Sequence, residues 1–245
     1  MHAQQGAWCA IQARDGMIEQ TDVFVIGGGP AGLAVAIAAR KKGFQVVVAD
    51  GSQWPIEKAC GEGLMPETVA ALRDLGVSVG ADDGQAMRGV RFIGGSSDVA
   101  ARFPSECGMG MRRVALHAKL VERATSCGAE LLWNTPVAGI SPYGVKLASG
   151  SVVRARWIVG ADGIGSRVRS WAGLDATSPK RRDYRYAVQW HYRMRPWSDF
   201  LEVHWGERAQ AYVTPVGPDQ ICVATLSSER PGWQKRRPPD GPSAR

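Results

Sequence analysis

Most of the features that would give away a function at once are missing from this sequence. Cysteine occurs five times, at Cys9, Cys60, Cys107, Cys127 and Cys222, and never as C-x-x-C. An odd, scattered set argues against a disulfide framework or a zinc site and fits a reducing cytoplasm. The four histidines, His2, His117, His191 and His204, share no metal-ligand spacing, so no metal is expected and surface or sheet roles are expected for them. No apolar run reaches the roughly 20 residues of a membrane-spanning helix, so no stable membrane insertion is expected. The N-terminus, MHAQQGAWCAIQARDGMIEQ, has no basic segment leading into an apolar core. It reads as a disordered leader over residues 1–20, with Met17 as an alternative start, rather than as a secretory signal.

The net charge is +7, with clusters at Lys180-Arg181-Arg182 and Lys235-Arg236-Arg237. No helix-turn-helix, zinc-finger or RNP-type motif accompanies it, so the charge suits an anionic small ligand or plain solubility better than nucleic acid. With 245 residues, 44% of them hydrophobic, the chain is long enough for one large core or two intimate ones.

Regular structure is expected from Thr21. TDVFVI is a short β-prone run, GGGPAG breaks it, LAVAIAARKKG reads as a helix with basic residues in its last turn, and FQVVVAD is a second β-prone run. That is a βαβ unit, and its continuous apolar runs suit parallel strands covered on both faces. Helices are expected from Pro66 to about Leu75, stopped by Gly76, and from Arg113 to Ser126, closed by Gly128. GVKLASGSVV predicts a hairpin turning at Ser149-Gly150. Beyond Pro179, Tyr184, Tyr186, Val188, Trp190 and Tyr192 alternate with polar or small residues, the period of a strand with one buried face. DFLEVHW, AYVTP and QICVATL continue that style, and GVRFIGG and VAARF are expected to join the same antiparallel sheet. The fold class is therefore α/β: a Rossmann-like domain with a mostly parallel sheet over residues 21–85 and 108–177, and a smaller antiparallel-sheet domain over 86–107 and 178–228. A polar, Pro-rich and basic tail over 229–245 is expected to be disordered.

Gly27, Gly29 and Gly32 form G-x-G-x-x-G between the first strand and its helix, and Asp50 ends the next strand 18 residues beyond Gly32. In that setting Gly27 allows the tight turn, Gly29 lets backbone approach a pyrophosphate, Gly32 lets helix pack on strand, and Asp50 accepts from ribose hydroxyls while disfavouring a 2′-phosphate. The bland alternatives are a ligand-free glycine turn and a solvated strand-end carboxylate. A second motif, GADGIGSRVR, ends the strand WIVG. Asp162 and Gly163 lie where open parallel sheets bind ligands, and Asp162 with Ser166 is equally suited to capping the next helix.

Taken together, GGGPAG, Arg113 at a helix head and G-A-D-G-x-x-S-x-V-R resemble FAD-dependent oxidoreductases of the p-hydroxybenzoate hydroxylase fold. The stretch CGEGLMP, and more loosely YVTPVGPDQICVA, resemble the geranylgeranyl reductase-like branch, over about residues 21–228. The resemblance implies FAD as cofactor and NAD(P)H as electron donor, acting on a small hydrophobic or aromatic substrate by reduction or monooxygenation. It makes residues 21–85 and 108–177 the FAD-binding domain and the antiparallel sheet the substrate domain. The implied cofactor contacts are Gly27, Gly29, Pro30, Ala31, Gly32, Asp50, Gly51, Arg113, Val137, Asp162 and Gly163. Cys60 and Glu62 are the catalytic candidates; a small packed thiol and a solvated loop carboxylate are the alternatives for them. Tyr184, Tyr186, Trp190, Tyr192 and Trp205 suit either an apolar substrate cavity or an ordinary core. The family pattern also carries a Gly-Asp-Ala-like motif downstream of the substrate sheet. None follows Leu226, so the resemblance is to a member lacking its C-terminal part, for which dinucleotide binding without catalysis is the alternative function.

Overall fold

The structure, a computed structural model, describes residues 19–174 and 185–229. Residues 1–18 of the leader, 230–245 of the tail, both basic clusters, Cys9, His2, Met17 and Tyr184 lie outside the described residues, and Gln20, expected in the leader, already belongs to the first strand. In chain order the elements are β1 (Gln20–Ile26), α1 (Pro30–Lys41), β2 (Val46–Ala49), β3 (Gly63–Leu64), α2 (Pro66–Leu75), β4 (Gln85–Met87), β5 (Gly89–Gly94), β6 (Ser97–Arg102) and β7 (Gly108–Gly110). There follow α3 (Arg113–Ser126), β8 (Glu130–Leu132), β9 (Val137–Ser141), β10 (Gly144–Leu147), β11 (Val152–Gly160), α4 (Arg167–Trp171), β12 (Tyr186–Arg193), β13 (Phe200–Trp205), β14 (Ala209–Gly217) and β15 (Gln220–Ser227).

The chain divides into two compact units. The first takes the described residues up to Gln53 and Ala124–Leu174; the second takes Trp54–Arg123 and the described residues from 185 onward. The segments 54–85 and 108–123, expected with the nucleotide-binding half, thus cluster with the antiparallel sheet. The reason is the small sheet β3-β7-β4, whose middle strand lies against β14.

In the first unit six strands run in the order β8-β2-β1-β11-β10-β9. The β8-β2-β1-β11 part is parallel, as the continuous apolar runs predict, and the hairpin β10–β11 adds an antiparallel edge. Phe24, Val47, Val145 and Val153 are almost wholly buried between the strands and their cover, and Leu33, Ala36 and Ile37 form the buried stripe of α1. Each large side chain so buried contributes roughly 1.5–3 kcal/mol. Alpha-helix stops fall where glycine permits a left-handed residue, at Gly76 after α2 and Gly128 after α3.

In the second unit the order is β12-β15-β14-β13-β5-β6. All pairs are antiparallel except β13 with β5, which is parallel because β5 reaches the sheet from a distant part of the chain. The alternation in β12 does not produce one buried face. Tyr192 is 38% exposed, Trp205 in β13 is 53% exposed, and Gln189 and His191, on the face that reads as polar, are half-buried. The loop from Lys58 to Pro66 is what covers that polar face.

Candidate functional site

In the first unit, β1 delivers the chain to a glycine turn. Gly27 has φ +113, and a Cβ there would stand 2.4 Å from the Ala161 carbonyl oxygen. A Cβ on Gly32 would stand 1.9 Å from the Gly27 carbonyl oxygen. Folding therefore requires both. Gly29 differs: its backbone is extended, as a residue before proline prefers, and nothing lies within 4 Å of where its Cβ would be. It is the N-cap of α1, followed by Pro30 and Ala31, with no side-chain cap and no acidic residue in the first turn. The first amides of α1 and the positive end of its dipole thus carry no side-chain cap, and the Cβ position of Gly29 beside them is open.

Asp50 stands beside this turn. Its Oδ2 accepts the Gly28 amide at 2.8 Å and its Oδ1 the Ser52 amide at 2.8 Å, which leaves lone pairs on both oxygens for a further donor. The Trp133 ring lies against Gly28, whose Cβ would approach it to 2.4 Å. Gly51 backs onto Pro136, and the Val137 side chain belongs to the hydrophobic core. After β11, Asp162 is engaged in holding α4: its carboxylate accepts Ser166 Oγ at 2.6 Å and the amides of Arg167 and Val168 at 2.7 and 3.1 Å. Burial pushes its pKa up, and the hydrogen bonds from Ser166, Val168 and Arg167 outweigh that, leaving it below the usual carboxylate value. Ser166 in turn accepts the Arg169 amide, so the capping alternative is realised. Gly163 has φ +86 with open space around it.

In the second unit the loop KACGEGLMP is drawn into a buried polar cluster. Glu62, at φ +55, is a non-glycine residue in left-handed backbone, a conformation costing on the order of 1 kcal/mol. Its side chain is 1% exposed. Oε1 accepts the Arg113 amide at 2.8 Å with Arg112 Nε 3.9 Å away, and Oε2 accepts from His191 Nε2 at 2.7 Å. Cys60 is partly buried; its amide donates to Gln189 Oε1, and its Sγ accepts the Glu62 amide at 3.4 Å. Thr214 Oγ1 donates to the Gly61 carbonyl at 2.6 Å, and Cys222 Sγ lies 3.8 Å from the Cys60 carbonyl. A Cβ on Gly63 would meet Leu201 Cδ1 at 2.4 Å, whereas Gly61 faces open space.

Burial first, and the Glu62 carboxylate second, push the Cys222 thiol far above its ordinary pKa, so it stays protonated. Glu62, His191 and Cys222 bring three potential metal-ligand atoms within 4.8 Å of one another. Hydrogen bonds from protein donors already occupy that carboxylate, and a metal would have to displace the thiol proton as well. Among the described residues, Arg112 Nε, Arg113 Nε and Gln189 Nε2 are buried donors with no hydrogen-bond partner.

The structure thus brings Gly27, Gly29, Gly32 and Asp50 together in one unit, and Cys60, Glu62 and Arg113 together in the other. Sequence reasoning missed Trp133, Gln189, His191, Thr214 and Cys222. For Gln189 and His191 the only available signal is that two hydrogen-bonding side chains share one face of a single strand. Fully buried His117, on α3, also departs from its expected surface or sheet role.

A family described as FAD binding domain matches residues 20–229. The menaquinone reductase of Mycolicibacterium smegmatis is 32% identical over 246 aligned positions, covering 91% of this chain and 59% of that protein. The digeranylgeranylglycerophospholipid reductase of Methanosarcina acetivorans is 30% identical over 181 positions, covering 69% of this chain and 44% of that one. Among solved structures, a geranylgeranyl bacteriochlorophyll reductase-like protein from Thermoplasma acidophilum matches with a TM-score of 0.73 at 24% identity, over 86% of this chain and 57% of that one, a likeness of fold. The chain spans less than two thirds of the length of each of these proteins. Among the described residues no helix is long and apolar enough to cross a membrane.

Proposed function

Because the chain belongs to the FAD binding domain family, we propose that it holds FAD and acts as an oxidoreductase, taking electrons from NAD(P)H and delivering them to a small hydrophobic or aromatic substrate. The observation that carries this reading is Gly29: extended, open, and placed at an uncapped helix start where packing makes no demand for glycine. A pyrophosphate is the ligand chemistry that such a bare, amide-rich approach fits. Asp50, with lone pairs to spare beside the turn, suits ribose hydroxyls. Its charge disfavours a 2′-phosphate, which favours FAD over NADP in this cradle.

The flavin, once bound, supplies hydride and electron transfer. The chain's own residues bind and orient. In the second unit Arg113 has a buried Nε with no partner among the described residues, a donor available to a flavin oxygen, and Cys60 is the partly buried thiol on the substrate-side loop. Both named relatives are reductases, one of menaquinone and one of a geranylgeranyl lipid. We therefore favour reduction over monooxygenation, with a prenylated quinone or prenyl lipid as the substrate class. Gly27, Pro30, Ala31, Gly32, Gly51, Val137, Asp162 and Gly163 enter this proposal as backbone or positioning elements of the cradle and its surroundings.

FAD binding without turnover is the second outcome that the experiment distinguishes. Purified chain should be yellow and release flavin on denaturation. A colourless preparation that takes up no added FAD would overturn the proposal. Anaerobic bleaching of the bound flavin by NADH or NADPH, followed by reoxidation with a soluble naphthoquinone, supports turnover; a flavin that neither nucleotide bleaches supports binding without turnover.

A further inference from the structure

We propose that Glu62 is a positioning residue, which ties the Cys60 loop to the head of α3 and so fixes where Arg113 lies, rather than a group that acts on substrate. The proposal rests on the reading that Arg113 meets a flavin. The geometry comes from three elements. The Glu62 carbonyl accepts the Met111 amide at 2.9 Å, and its carboxylate accepts the Arg113 amide at 2.8 Å. One residue thereby holds two alternate amides of the segment that opens α3. This is a helix cap supplied from 51 positions earlier in the chain, placing a negative charge at the positive end of the helix dipole. The other carboxylate oxygen is pinned by His191 of β12 at 2.7 Å, and the Cys222 thiol of the neighbouring β15 lies within 4.8 Å.

Two features exclude a direct part in the chemistry. The first is burial: the side chain is 1% exposed, and the donors that reach its two oxygens, the Arg113 amide and His191, are the protein's own. The left-handed backbone is the second sign. Glycine would adopt φ +55 without cost, so the presence of glutamate at that position points to a side chain whose contacts outweigh the strain. Those contacts all bear on Arg112, Arg113, His191 and the thiol strand, which are the neighbours a positioning group needs. Arg112, 3.9 Å from Oε1, supplies the opposite charge that lets a carboxylate remain buried there.

The test uses the full chain carrying Glu62→Gln, which keeps the volume, and Glu62→Gly, which removes both the carboxylate and the backbone strain. His191→Asn, which frees one oxygen only, serves if either fails to fold. Three readouts are taken: the Arg113 amide proton shift by NMR, the rate of Cys60 alkylation by mass spectrometry, and FAD affinity. Positioning predicts an upfield move of the Arg113 amide, alkylation faster by roughly tenfold, and FAD affinity weaker by roughly tenfold, since a charge-assisted bond is lost. Rescue of the strain alone by Glu62→Gly, with flavin affinity intact, would overturn the proposal. So would turnover lost with the Arg113 amide and FAD affinity unchanged, because Glu62 would then act on substrate. If the wild-type chain takes up no FAD, the flavin reading fails by itself, and the Arg113 and Cys60 readouts still decide whether Glu62 positions them.

Discussion

Gly27, Gly29 and Gly32 lie within one turn of the chain and act through what they lack, whereas Cys60, Glu62, His191, Thr214 and Cys222 meet across separations of up to 162 residues and act through what they carry. The first unit builds its candidate site from backbone: bare amides, a helix dipole and a single carboxylate. The second builds its cluster from side chains on a loop, a helix head and three strands. A backbone site of this kind is written mostly in one local stretch, with Ala161 and Trp133 packed on its glycines. A side-chain cluster exists only after the whole sheet has formed, and each member depends on the others for hydrogen-bonding partners.

The contrast breaks most sharply inside the glycine motif itself. Gly32→Ala would force Cβ against the Gly27 carbonyl, and we expect a loss of about 3 kcal/mol or more in denaturant unfolding, because two backbone segments must part. Gly29→Val should do the reverse. FAD uptake is abolished while the midpoint of unfolding hardly moves, since the new side chain enters open space and extended backbone suits valine. A Gly29→Val protein that retains stoichiometric flavin would refute the assigned cradle.

In the second unit, Thr214→Val removes a 2.6 Å bond to Gly61 from a fully buried position, and a loss of roughly 1–2 kcal/mol is expected by the same unfolding measurement. Ser166→Ala should cost about 1 kcal/mol as a lost cap on α4. Asp162 sharpens that result. Its folded pKa is depressed, so its contribution is present above the ordinary carboxylate value and disappears as pH falls through the lowered one. Asp162→Asn should therefore flatten the acid limb of a stability-against-pH curve, and an unchanged limb would discount the cap. The smallest effect is chemical. At about pH 9 native Cys222 should resist alkylation while exposed Cys107 reacts, because burial and Glu62 keep the Cys222 thiol protonated.

These differences also explain what is legible in the sequence. The β1-α1-β2 unit, the hairpin at Ser149-Gly150, and the helices starting at Pro66 and Arg113 follow from local chemistry: apolar runs, proline at a first turn, glycine at a stop. Nothing local distinguishes His191 from a solvent-facing residue between Trp190 and Tyr192. Alternation reports which residues share a face, and it is silent about whether a loop from 129 residues earlier will lie on that face. Glu62 was legible as a carboxylate in an unusual loop, but its left-handed backbone was not, since a flanking glycine would be the ordinary choice for such a turn. Thr214 and Cys222 sit in apolar runs and read as core until Gly61 and Cys60 are placed beside them.

Gly29 has a consequence for descent as well as for binding. Gly27 and Gly32 are held by packing in this fold, where a Cβ on either would meet backbone. Nothing packs against the Cβ position of Gly29, so on the proposed reading its identity registers selection for a ligand. Among descendants that cease to use the dinucleotide, Gly29 should be the first of the three to drift, which makes this one position a fossil gauge of whether a given relative still carries its cofactor.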